Sequence, residues 1–361
     1  MGSRRQFFGQ SALALIGLSS GAITAEPKNP TPLINAKTQK AIEQGLKYLA
    51  SNGKNGVFGL KAYHGNTAIT SLAARAFLAG GHLPGGGRHG KVVEQSLRFV
   101  LSQARPYRQF RGFLHNAKAS PHGPMYEHGF ATLFLAEAHG MIKEEKLAAQ
   151  LKKTLTDAVD LIVRSQNREG GWRYAPTSKD ADLTVTSCQV AALSMAKQSG
   201  MEVPKHVLDR ALKYVKRCQD AQSGGFRYQA AKRMRGQFGN QAFARTAAGT
   251  CSLLNLGVKE GEEIKSSLQY LTKSRPVAPG KRLGGRAADV QYFYGHYFAV
   301  QVMRQMGGDQ WKTWYSKIRD ELLKAQEKDG SWRDGIDVHY GTAMALLILQ
   351  APNNYLPSFA K

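Results

Sequence analysis

Six stretches of this 361-residue chain, each rich in Ala, Thr, Ser or Leu or in aromatic residues, open on side chains able to hold, give or accept a proton. In chain order the openings carry His64 and Asn66, Tyr126 and His128, Asp182 and Thr184, Arg245 and Thr246, Asp289 with Tyr292 and His296, then His339 and Tyr340. His and Tyr suit general acid–base work, and a desolvated Asp suits proton donation. Asp182, Asp289, His296, His339 and Tyr340 are therefore the candidate catalytic residues. His64, Tyr126, His128, Arg245 and Tyr292 are the candidate substrate-binding residues. A plainer role stands beside each. Asp182 directly precedes LTVTSCQVAALSMAKQ and is a natural helix N-cap. The aromatic run YFYGHYF (Tyr292–Phe298) reads as packing as readily as a substrate box. No Ser/His/Asp order, Gly-rich phosphate loop or HExxH pair occurs, so the expectation is no cofactor and no bound metal.

These openings need elements to hold them. Before each lies an amphipathic, charged run: AIEQGLKYLA, VVEQSLRFVLSQ, TLTDAVDLIVRSQ, LDRALKYVKRCQ, IKSSLQYLTKS and IRDELLKAQ. In the third, Leu155, Ala158, Leu161 and Ile162 follow the three-to-four spacing of a helix with one buried stripe. The second runs are apolar or small on nearly all sides, as a helix buried between two layers should be. Between the two helices of each pair sits a glycine-framed residue: Phe58, Phe113, Trp172, Phe226, Leu283 and Trp332. A period of this length marks a repeat architecture whose units hide their apolar faces against neighbours. No polar capping repeat is visible at either end. The expected fold is all-α, a ring of six outer–inner helical hairpins. The inner-helix N-termini would meet at one mouth, where their dipoles favour anionic groups.

The ends and the charge bound the rest. Residues 1–25 carry Arg4 and Arg5, then Phe7 and Phe8, an apolar stretch and small residues, which reads as a twin-arginine-type export signal. Residues 26–36 form a Pro-rich connector, and residues 37–361 a single repeat domain. The expected location is the periplasm or cell envelope. A net charge of +24 favours anionic partners such as a membrane surface, an acidic polysaccharide or an anionic small molecule, and the apolar inner runs admit a hydrophobic small molecule or lipid. No nucleic-acid module is present, and no nucleic-acid partner is expected. Three cysteines, Cys188, Cys218 and Cys251, are too few for a disulfide framework. Cys188 and Cys251 lie at matching depth on neighbouring inner helices, leaving either two buried thiols or one bridge.

QNREGGWRY (Gln166–Tyr174), QDAQSGGFRY (Gln219–Tyr228) and QEKDGSWRD (Gln326–Asp334) resemble the Gln-to-Trp repeat motif of squalene and oxidosqualene cyclases and of protein prenyltransferase β subunits. The stretch GGWRYAPTSKDADLTVTSCQVAAL is similar to exported, planctomycete-type bacterial prenyltransferase/squalene-oxidase repeat proteins. The resemblance implies an (α/α)6 toroid and a cavity for an isoprenoid or other lipid. It also exposes departures. The cyclase acid motif Asp-x-Asp-Asp is absent; Asp180-Ala-Asp182 lacks the last aspartate. The prenyltransferase zinc pair Asp-x-Cys is matched only by Asp289-Val-Gln291, with Gln in place of the thiolate, although His296 could stand in beside Asp289 and His339. Three functions follow from these features. One is a toroid that binds, and could transform, an isoprenoid or lipid. Another acts on or binds an anionic polysaccharide, with Asp182, Glu127, Glu137 and Asp289 the available inner-helix acids. The last is a non-catalytic envelope scaffold.

Overall fold

The computed structural model describes residues 33–105, 108–121, 123–230, 242–274, 276 and 291–359. Within them the chain forms α1 (Ala36–Asn52), α2 (Thr67–Ala79), α3 (Gly90–Ser102), α4 (Pro124–Ala138), α5 (Glu145–Ser165) and α6 (Leu183–Gln198). It continues with α7 (Lys205–Cys218), α8 (Phe243–Asn255), α9 (Glu262–Lys273), α10 (Tyr292–Met306), α11 (Gly308–Ala325) and α12 (Val338–Leu349). Even-numbered helices form an inner ring. Each packs on the next, and α12 packs on α2, so the ring closes. Odd-numbered helices form the outer layer, where α1 lies beside both α11 and α12.

Residue patterning accounts for the two layers. In α7 only Val207, Ala211, Tyr214, Val215 and Cys218 are buried, one stripe at helical spacing. In α2 every residue is buried, which its Ala, Thr and Ser content permits between two layers. The expected all-α toroid is the observed one.

The glycine-framed residues are staples. The indole nitrogen of Trp172 donates to Ile162 O at 2.8 Å, and that of Trp332 to Leu322 O at 2.8 Å, each covering the end of its own outer helix. Gln adds a tie between repeats. Gln166 donates to Val207 O of α7, Gln219 to Glu263 O of α9, and Gln326 to Ala41 O of α1, all at 2.8–2.9 Å. The last bond joins the final repeat to the first. Gly170 has φ +93°, and a Cβ there would lie 2.5 Å from Arg210 O, so the reversal and the close approach both demand glycine.

The far end of the ring is filled. Arg75 of α2, fully buried, pairs with Glu137 of α4 at 2.6 Å and donates to Tyr297 Oη of α10 at 2.7 Å. The tail enters here: Ser358 Oγ lies 3.2 Å from Arg75 and also donates to Glu137, while Phe359 packs on Tyr297. Cys188, Cys218 and Cys251 are buried free thiols; Cys188 lies near Tyr294, whereas Cys251 lies near Gln301 and Asn255. No described helix is long and apolar enough to cross a membrane.

Candidate functional site

At the opposite end the inner-helix N-termini surround a cavity of about 150 Å³. Aromatic rings dominate its wall: Tyr63, Tyr126, Phe130, Tyr294 and Tyr340. Ala68, Ile69, Leu72 and Ile336 supply aliphatic surface, and Asn66, Ser120, Glu127, Thr184 and Gln291 the polar groups. Five of the six inner helices or their immediate approaches contribute; α8 does not.

Asp182 stands directly behind this wall. Its Oδ1 accepts from Val185 N at 2.8 Å, the N-cap of α6, and from Thr184 Oγ1 at 2.7 Å. Thr184 in turn meets the Tyr126 hydroxyl at 2.6 Å. Asp182 is 0 % exposed, and its Oδ2 has no hydrogen-bond partner. Burial pushes its carboxyl up to about 6, against the opposing pull of the Val185 and Thr184 hydrogen bonds and the Arg173 charge. An N-cap aspartate in water would shift the other way. Burial and the Asp182 charge likewise raise the Tyr126 phenol.

Glu127, next along α4, turns to the other flank. Its Oε2 accepts from Thr67 N at 2.8 Å and Asn116 N at 3.1 Å. The hydroxyls of Ser120 and Thr67 are its side-chain hydrogen-bonding neighbours, and neither they nor Oε1 has a partner outside this cluster. Glu127 is 2 % exposed, and burial raises its carboxyl. Together with Asp182 and Asp337, which cap α6 and α12, it places carboxylates on the positive ends of three inner helices. Those ends are therefore already neutralised, and the cavity itself is less receptive to anions than bare dipoles would be.

Of the remaining candidates, Tyr340 lines the cavity. His128 does not: its Nδ1 accepts from Leu114 N at 3.2 Å and its Nε2 faces Ala158 O at 3.1 Å. Thr70, Thr186, Thr246 and Thr342 make the corresponding bond in other repeats, so His128 does a threonine's work in the second. His339 Nδ1 accepts from Gly59 N at 3.0 Å, with its ring edge-on to Phe58 and Tyr48. Tyr292 and His296 turn outward to α11, where His296 packs on Trp314 and the Tyr292 phenol feels Glu321. Burial drives His296 down to about 3. His64 is exposed at the end of a short 3-10 turn, and Arg245 lies near Tyr270 of α9. Asp289 lies outside the described residues. His296 and His339 share no ring neighbour, and no group of three or more His, Cys, Asp or Glu among the described residues is placed to hold a metal. Sequence reasoning gave Glu127 only a glycosidase role and passed over Ser120, Tyr63 and Tyr294 as site residues. Glu127 beside Tyr126 at a helix opening was the available signal.

A closed double ring of helices with a small aromatic cavity at one mouth defines an α/α toroid. The sequence matches the prenyltransferase alpha-alpha toroid domain over residues 7–232 and 202–351, and the chain belongs to that family. No curated protein matches it by sequence. Among solved structures it is similar to a type II terpene cyclase from Scytonema, with TM-score 0.58 and 14 % identity over 89 % of this chain and 99 % of that one. It is also similar to an inactive α-1,6-mannanase variant of Salegentibacter in complex with α-1,6-mannotriose, with TM-score 0.61 and 9 % identity over 87 % and 98 %. A cellobiose 2-epimerase from Bacillus thermoamylovorans gives TM-score 0.60 and 10 % identity over 88 % and 98 %. At these identities the shared property is the fold.

Proposed function

We propose that the toroid binds the terminal, ring-sized part of an isoprenoid or similar lipid in its mouth cavity, with Asp182 supplying acid–base character from behind the wall. The carrying observation is the cavity itself. Its volume of about 150 Å³ is lined mainly by five aromatic rings and aliphatic side chains, with polar groups interspersed. A space on the order of 150 Å³ holds a group about the size of a benzene ring. That suits one end of a lipid and not a folded long chain. The cyclase Asp-x-Asp-Asp motif is missing, so Asp182 would act through Thr184 and Tyr126 and not by direct contact. Residues 1–25 retain their reading as an export leader, which cell fractionation checks.

Geraniol, a ten-carbon isoprenoid alcohol, is a suitable probe. It should raise the melting temperature of the protein, and the cavity-filling variant Leu72→Trp should abolish the shift. No shift with geraniol, together with one from α-1,6-mannotriose or an acidic polysaccharide, would replace the lipid reading with the saccharide one.

A further inference from the structure

We infer that the cavity performs proton transfer on a carbonyl-bearing ligand, with Glu127 taking a proton from carbon and Tyr126 serving the carbonyl oxygen. This rests on the cavity being a ligand site, as proposed above, and adds the reaction class and the base.

The first turn of α4 sends two consecutive residues to opposite flanks. Tyr126 reaches Thr184 of α6, and Glu127 reaches Thr67 at the start of α2. Both border the cavity, so a ligand there lies between an acid side and a base side. On the base side, one oxygen of Glu127 is held by two backbone N–H groups while Oε1 has none. A carboxylate anchored through one oxygen keeps its orientation while the other is available to take a proton. Ser120 Oγ, a side-chain hydrogen-bonding neighbour of Glu127, borders the same flank.

On the acid side, the chain Tyr126–Thr184–Asp182 sets what the ligand can be. Thr184 has one hydroxyl hydrogen. With Asp182 ionised, Thr184 gives it to Oδ1 and Tyr126 gives its own to Thr184. With a proton on Oδ1, the chain reverses and the Tyr126 hydrogen is free to meet a ligand. A phenol is too weak an acid to protonate a carbon–carbon double bond, but it is a suitable donor to a developing oxyanion. The partner is therefore an oxygen.

The step balances without a redox partner. Glu127 Oε1 takes a proton from the carbon next to the carbonyl. The C–H electron pair becomes the enol double bond, and the C=O π pair moves to oxygen. That oxygen receives the Tyr126 proton, which Asp182 replaces through Thr184. Return of the proton from Glu127 to carbon, with the enol O–H proton passing back through Tyr126 and Thr184 to Asp182, regenerates the carbonyl compound, its isomer or its epimer.

Cyclohexanone in D₂O is the probe, with loss of its α-CH signal followed by proton NMR. The intact protein should exchange it well above buffer. Glu127→Gln, which still accepts from Thr67 N, should lower the rate by about 100-fold or more, and Tyr126→Phe by about 10-fold or more. Glu127→Asp should restore part of the loss, which a purely structural carboxylate would not do. Circular dichroism melts show which variants are folded, and a variant that is unfolded is replaced by Ser120→Asp, which adds a second charge beside Glu127 and should also depress exchange. Equal rates for the intact protein and Glu127→Gln overturn the inference. Saturation-transfer NMR separates the two readings. Cyclohexanone that binds without exchanging sinks proton transfer and leaves binding intact, whereas no binding sinks both.

Discussion

The two ends of the inner ring bury carboxylates in opposite ways. At the base, Glu137 meets the Arg75 guanidinium through two contacts of 2.6 and 3.1 Å, and Ser358 fills in beside them. At the mouth, Asp182 and Glu127 are equally hidden but have no cation in contact; Asp182 leaves Oδ2 without a partner, and Glu127 has only hydroxyls and backbone N–H groups around it. Burying a charge is tolerated when it is paired and hydrogen-bonded, and otherwise the group shifts toward its neutral form. The base is built to hold the ring shut. The mouth keeps polar capacity in reserve at a stability cost, a pattern expected of functional sites.

Breaking the base should give the largest effect. Arg75→Met strands Glu137 in the ring and should destabilise the protein by about 3–5 kcal/mol in denaturant unfolding. The double variant Arg75→Met/Glu137→Leu should recover most of that loss; if it does not, the pair is doing more than compensating itself.

The mouth should respond to pH instead. Asp182 holds its proton more tightly in the folded chain, at about 6 against 3.8 in its ordinary state. The folded state is therefore relatively favoured below about 4, and this advantage is lost as pH rises through about 6. The swing is on the order of 2–3 kcal/mol. Asp182→Asn keeps an N-cap side chain and should flatten this slope, leaving the protein more stable than the native chain at pH 7. A slope unchanged by the substitution would show that Asp182 is not the titrating group.

The smallest effect sharpens the contrast most cleanly. Ser358→Ala at the base removes a hydroxyl bonded to Arg75 and Glu137 and should cost about 1 kcal/mol. Ser120→Ala at the mouth removes a hydroxyl that neighbours only the Glu127 carboxyl and should change the unfolding free energy by no more than about half a kcal/mol. Equal costs for the two serines would erase the distinction between the ends.

The ring was legible because its signals are periodic. Trp172 and Trp332 recur in one register and do the same job, and Gln166, Gln219 and Gln326 recur with them. That these glutamines bind the next repeat was not legible, since spacing along one chain does not say which neighbour arrives. The site was legible only in part. Asp182 was readable as both cap and acid candidate, but its burial depends on packing from α4 and α10. Along α10, Tyr292 and Tyr294 lie two residues apart, about 200° around a helix of 3.6 residues per turn, so one faces α11 and the other the cavity. An unbroken aromatic run gives no hint of which is which. His128 misled for a chemical reason: an imidazole accepts a backbone N–H as well as a threonine hydroxyl does.

The bond from Gln326 to Ala41 also has a temporal meaning. It spans 285 residues, and Gly59 to His339 and Gln350 to Ala76 span 280 and 274. Contacts so far apart in sequence delay folding, because the loop they close must be ordered first. A nascent chain emerging from its N-terminus can stack successive hairpins, each on the one before, as an open spiral. The seam between first and last repeats can form only when α12 is available, so α1 and α2 wait for their final neighbours until synthesis is nearly over.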